Sequence, residues 1–164
     1  MSLHPVTTSV TAHVARFLLA AFLAFAGTAH LTFARTEFQA QVPSWFPASP
    51  DLVVVVSGVI ELALALALLG PRRWRPAIGW VVAAFFVAVF PGNIAQWAER
   101  RDGFGLDTDA ARATRLAFQP LLIAWALWCT GAWRAWREGR GGDDSHGSPG
   151  ASGRSRQRGR RTAG

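Results

Sequence analysis

Leu52 to Leu69 reads LVVVVSGVIELALALALL, eighteen residues in which Glu61 is the single charge. A hydrocarbon slab about 30 Å thick requires ~20 helical residues, with a usable range of roughly 17–25, so this run is long enough to span one. It lacks the alternation of a barrel strand, which leaves a helix. Nine residues below Leu52, Glu61 falls about 13 Å along that helix at 1.5 Å per residue, near the middle of a bilayer if the helix stands upright. An ionised carboxylate there costs a few kcal/mol. The segment therefore predicts a helix that turns Glu61 toward other protein. Ser57, Glu61 and Ala65 recur every four residues and form the small, polar stripe expected to face inward.

Outward from this run lie three others of similar length, Val14 to Phe33, Ala77 to Ile94 and Leu116 to Trp133. Pro43, Pro47 and Pro50 interrupt the first connection, Gly70-Pro71 the second, and Gly103 with Gly105 the third. Trp45, Trp74, Trp97, Trp133 and Trp136 fall near the ends of the runs, where amphipathic rings sit at headgroup level. The chain has 164 residues, 51% hydrophobic and 16% charged. Four all-round apolar helices in so short a chain leave too little polar surface to cover them in water. The expected fold is an all-α membrane protein, a four-transmembrane-helix up-down bundle over 14–137, preceded by a short segment 1–13. Phe17 to Ala26 resembles the apolar region of a signal peptide. The apolar stretch continues to Phe33 and only Arg16 precedes it, which favours a retained helix.

Every one of the seventeen basic residues is Arg, against ten acids. Arg16, Arg72, Arg73, Arg75, Arg134, Arg137 and Arg140 flank one set of helix ends; Arg35, Arg100, Arg101, Arg112 and Arg115 flank the other. Seven against five places both termini in the cytoplasm of a multi-pass cell-membrane protein. From Glu138 the last 27 residues hold eight Gly, four Ser and six Arg, so 138–164 is expected to be a disordered tail. Its Arg154 to Arg161 cluster suits anionic headgroups at ~1 kcal/mol per charge. Without interleaved aromatics or an RNA-binding motif it gives no case for nucleic acid. A single Cys, Cys129, excludes an intramolecular disulfide or a multi-cysteine metal cluster and reads as a small buried hydrophobe.

The residues out of place in the apolar runs are His30, Glu61, Asn93, Gln96 and Gln119, with Arg115 just ahead of the last run. In an up-down bundle His30, Asn93, Arg115 and Gln119 meet at one face, with Glu61 deeper. His30, Glu61, Asn93, Arg115 and Gln119 are the candidate polar-pocket or ligand-binding residues. Arg115, with its long stem and five donors, is the expected partner of Glu61, with Gln119 and His30 as intermediaries. Pro91 frees carbonyls near Val87, which Asn93 is placed to serve, and Phe90-Pro91-Gly92-Asn93 is expected to kink and present its amide to the cluster. Pro120 is expected in the first turn of its helix, where a missing donor costs little. One His and one Glu on different helices match no metal spacing, so no metal is expected. Each polar residue also has a purely architectural reading, as a buried pair or amide bridge that fixes helix register.

Phe25-Ala-Gly-Thr-Ala-His30, Val42-Pro-Ser-Trp-Phe-Pro47, Gly58-Val-Ile-Glu61, Phe90-Pro-Gly-Asn93 and Arg115-Leu-Ala-Phe-Gln119, taken in order, resemble the DoxX-like membrane proteins across about residues 12 to 136. No single motif is specific; the combination carries the likeness. Gly92 stands where a small residue, often Ala, is expected. The resemblance implies a small four-helix membrane bundle. Some relatives are associated with quinone-linked sulfur oxidation, methylamine dehydrogenase maturation or oxidative-stress assemblies. The function expected from it is an accessory or binding subunit, serving a redox complex or a quinone-like ligand, with membrane or redox proteins or a second copy as partners. The residues add a polar cluster roofed by Val42 to Pro47. Two alternatives stay open: an intramembrane acid–base enzyme in which Glu61 and His30 exchange protons with a lipidic substrate, and a structural scaffold. A transporter or channel is a weaker fit, because four helices without broken halves offer no path.

Overall fold

The computed structural model describes residues 9–105 and 108–143; the Arg154 to Arg161 cluster and the tail beyond 143 lie outside the described residues. The described chain is helical, with no strand. Helix α1 runs Val10–Leu31, a short α2 Arg35–Gln39 and α3 Pro50–Leu68; a single 3-10 turn at Arg72–Trp74 leads into α4, Arg75–Ala98, and then come α5, Asp109–Cys129, and α6, Ala132–Asp143.

The sequence accounts for most of these boundaries. Ser9, Ser49 and Thr108 each accept a hydrogen bond from the backbone N–H three residues on, at Ala12, Leu52 and Ala111, capping α1, α3 and α5. Pro50 occupies the first position of α3, where its fixed φ helps and its missing donor is not needed. Three stretches, Val10–Leu31, Pro50–Leu68 and Arg72–Ala98, are long and apolar enough to cross a membrane. A fourth qualifies when α5 and Ala132–Arg140 are joined across a 67° bend.

Two expectations about the fourth run are corrected. Its helix begins at Asp109, seven residues before the apolar stretch, because Arg112 is held by Asp102 and Asp109 at 2.6 and 2.9 Å and the polar first turns pack instead of fraying. Pro120 consequently sits in the helix interior. At the other end the helix stops at Cys129. Gly131, at φ 75°, takes a left-handed turn that other residues resist, and the chain leaves as α6. A Cβ on Gly79 of α4 would collide with Thr130 Oγ1, so the elbow is seated directly on α4. Because α6 continues to Asp143, helix covers the first residues, 138–143, of the stretch expected to be a disordered tail.

The helices associate as two antiparallel pairs, α1 with α3 and α4 with α5, with thinner contact between the pairs. Where the pairs do meet, Leu19, Leu23, Leu64, Leu68, Val82, Phe86, Ala126 and Cys129 close one half of the bundle. Cys129 is buried there as a small apolar side chain. Arg16 is also buried at this closed end and donates from Nη1 to the Leu68 carbonyl at the last turn of α3. The opposite half, carrying the α1–α3 and α4–α5 connections, is splayed.

Candidate functional site

In the splayed half lies a cavity of about 1280 Å³, and His30, Glu61, Asn93, Arg115 and Gln119 all line it. Its walls are otherwise mainly aromatic and aliphatic. Val42, Pro43, Trp45 and Phe46 of the expected roof contribute to them, as does Phe38 of α2, an element the proline-rich connection did not foretell.

The first polar group is built where α1 and α3 touch most closely. A Cβ on Gly27 would fall 2.7 Å from the Gly58 carbonyl, and one on Gly58 would fall 2.8 Å from the Cβ of His30. Glycine at both positions lets the backbones approach until His30 and Glu61 face each other. The buried face of α3 is Val54, Gly58, Glu61, Leu64, Ala65 and Leu68, so Glu61 and Ala65 point inward as expected, with Ser57 displaced to the cavity edge. His30 Nδ1 lies 2.9 Å from Glu61 Oε2 and 2.8 Å from the Ala26 carbonyl. The ring nitrogen is directed at the carbonyl. Glu61 Oε2 is thus held at ion-pair distance yet has no aligned hydrogen bond of its own. At 8% exposure, this is a buried carboxylate with spare accepting capacity.

The second polar group belongs to α4 and α5. Asn93 Nδ2 donates to Gln119 Oε1 at 2.9 Å, and Gln119 Nε2 donates to the Phe86 carbonyl at 2.5 Å. The helix runs unbroken through Pro91. Gln119 from the neighbouring helix, and not Asn93, serves the backbone ahead of the proline, at Phe86 instead of Val87. Asn93 Oδ1 has no hydrogen-bond partner and is buried. Gly92 supplies closeness, since a Cβ there would meet the Gln41 carbonyl at 2.5 Å.

Arg115 is the correction. The structure puts His30 on Glu61, while the Arg115 guanidinium lies over the Phe104 ring at 4.8 Å. Phe104 meets Phe38 edge-on at 4.5 Å, and Phe38 stacks on His30 at 3.4 Å and 15°. A continuous column, Arg115–Phe104–Phe38–His30, therefore runs across the mouth from α5 to α1. Such ring and cation contacts are worth about 0.5–1.5 kcal/mol each. Phe104 holds φ at 57°, uncommon for a bulky residue, and its N–H donates to Glu37 Oε2 at 2.6 Å. With Arg115 engaged in that column, the losses from Glu61→Gln and Arg115→Gln are expected to add to within ~0.5 kcal/mol in a denaturation cycle. A coupling above that would restore the direct pair.

Several residues of the mouth escaped the sequence. Arg35 grips Asp51 through two bonds of 2.7 and 2.5 Å, joined by Gln39 at 3.2 Å, and so pins α2 to the first turn of α3. Arg101 donates to the Val42 carbonyl at 2.6 Å and to Glu99 at 2.5 Å, fastening the roof to the end of α4. Gln96, noted in the sequence, is 1% exposed and lies beside Gly103. Acids and arginines clustered in both connections were the available signal, but their pairing depends on the fold. Among the described residues no group of three or more His, Cys, Asp or Glu side chains gathers to hold a metal ion.

Residues 19–130, more than half of the chain, match the family model described as "Domain of unknown function (DUF8561)", and the chain belongs to that family. Comparison with curated proteins and with solved structures finds no match to either.

Proposed function

We propose that this member of the DUF8561 family is an integral membrane protein whose cavity binds an amphipathic, quinone-like ligand in the service of a redox assembly. The helices cross the bilayer as a four-span bundle, with both termini cytoplasmic and the splayed half at the outer leaflet. Helices of sufficient length and apolarity support the insertion. The motifs that resemble DoxX-like proteins support the redox part of the reading.

The observation that carries the ligand is the chemistry of the unsatisfied atoms on a mainly aromatic and aliphatic cavity. Glu61 Oε2 and Asn93 Oδ1 are acceptors without a hydrogen bond, and Gln41 Nε2 is a donor without one. All three residues line the cavity. Buried polar atoms left unpaired cost about 1–3 kcal/mol each, so a ligand that pairs them regains that cost on binding. A ring bearing hydroxyl donors and a carbonyl acceptor, attached to an apolar tail, satisfies both the polar atoms and the aromatic walls. The His30–Glu61 contact also supports a second reading, an acid–base enzyme acting on a lipidic substrate.

Organic extraction of the purified protein, followed by mass spectrometry, tests the first reading. A co-purifying quinone or similar hydroxylated lipid is expected, depleted roughly tenfold in Glu61→Gln and in Asn93→Leu, the scale of one buried hydrogen bond. No bound lipid, together with no rise in melting temperature on adding a quinone analogue, would sink it. Turnover of a lipidic substrate that disappears in Glu61→Gln would favour the enzyme.

A further inference from the structure

At the closed end, on the opposite side of the molecule from the cavity's mouth, the α5–α6 elbow encloses a second space of about 860 Å³. One wall is the outer face of α5 from Pro120 to Trp128, with Ile123 and Leu127 half-buried and Trp128 exposed. The other is the start of α6, which contributes Trp133, Arg134, Arg137 and Glu138. The two walls meet at the 67° bend.

We propose that this elbow is a binding site for one anionic diacyl phospholipid. With α5 upright in a bilayer, a 67° bend lays α6 close to the membrane plane. Its two tryptophans, Trp133 and Trp136, are both substantially exposed, as expected of a helix resting at the interface. The wall from Pro120 to Trp128 then runs along the acyl chains for about 12 Å at 1.5 Å per residue. Arg134 and Arg137, three apart on one helical face, stand at phosphate level above it. Among its described lining residues the elbow thus offers an apolar slot of lipid-chain direction ending in the guanidiniums of Arg134 and Arg137 and the carboxylate of Glu138. That order matches an anionic headgroup above an acyl chain and fits neither a wholly apolar nor a soluble ligand. Gly131 fixes the shape, since its left-handed turn sets the angle between slot and shelf.

The site and the cavity both presuppose helices that cross a bilayer, yet they fail separately, because the residues tested here lie at the other end from Glu61 and Asn93. The full chain is placed in nanodiscs of phosphatidylcholine with a minor fraction of phosphatidylglycerol, released into detergent, and weighed intact with its retained lipids. The wild type is expected to retain phosphatidylglycerol in preference to phosphatidylcholine. Arg134→Gln combined with Arg137→Gln should reduce that retention roughly tenfold or more, the scale of two interfacial charges. Ala124→Trp, at an exposed position of the slot, should reduce it without touching a charge. Arg72→Gln with Arg73→Gln, at the same end but outside the elbow, should leave it within twofold, roughly the scale of an unperturbed site. Equal retention of the two lipids by the wild type overturns the proposal, as does unchanged retention in both elbow variants. Displacement of the lipid by inorganic phosphate also overturns it, since that would make the elbow an anion site and not a lipid site.

Discussion

His30→Ala is expected to lower unfolding stability by about 1–3 kcal/mol, because it removes the side chain whose Nδ1 lies 2.9 Å from a carboxylate that is 8% exposed. The informative measurement is the cycle with Glu61→Gln. Glutamine replaces the carboxylate that His30 faces, so His30→Ala in that background should cost clearly less, a coupling of about 0.5–3 kcal/mol. Denaturant titration of the four proteins in one detergent supplies the numbers. Strict additivity would mean that the 2.9 Å contact contributes nothing and that each residue serves its own helix. His30→Ala also removes the ring on which Phe38 stacks, so His30→Phe separates the two roles. It preserves a ring for the column and still strands the carboxylate, and it should recover only the stacking share.

A larger effect is expected from bulk at the α1–α3 crossing. In Gly58→Leu the first added carbon meets the Cβ of His30 at 2.8 Å and the Gly27 carbonyl at 3.0 Å, and neither backbone can yield without separating the helices. Overpacking a fitted contact costs about 1–3 kcal/mol and occasionally more. Here the crossing also sets the His30–Glu61 distance, so the two losses compound. Folded yield should fall sharply, while Val59→Leu, one residue along on the exposed face, should leave yield and melting temperature unchanged. Equal behaviour of the two variants would show that the close approach of α1 and α3 is not required.

These contacts also mark how far residue order alone reached. The inward turn of Glu61 was legible, because an acid in eighteen apolar residues has few tolerable places. So was the convergence of His30, Asn93, Arg115 and Gln119 on one end, which follows from counting helix ends in an up-down chain. Partner choice was not. Arg115 had reach and charge in its favour, but His30 wins because Gly27 and Gly58 bring its helix against α3. The start of α5 was missed for a related reason. Arg112 and Asp109 read as a polar loop until Asp102, ten residues earlier, is seen to close around the guanidinium. Helix α2 left little periodic trace. It is five residues long and depends on Arg35 reaching Asp51 across the connection.

The pairing of α1 with α3 and of α4 with α5 has a consequence for the order of assembly. His30 and Glu61 belong to the first pair; Asn93, Gln119 and the Phe86 carbonyl belong to the second. Each of these contacts lies within its own consecutive stretch of chain, so the first half can leave the ribosome with His30 already beside its acid, before the second half is made. The docking of the two halves at the closed end is mainly apolar, joined by Arg75 Nη1 at 3.1 Å from His13 Nε2 and by Trp125 Nε1, which donates to the Ala15 carbonyl at 3.1 Å. Local matching of this kind spares either half a long search across sequence, and the cavity takes its final form as the last event of maturation.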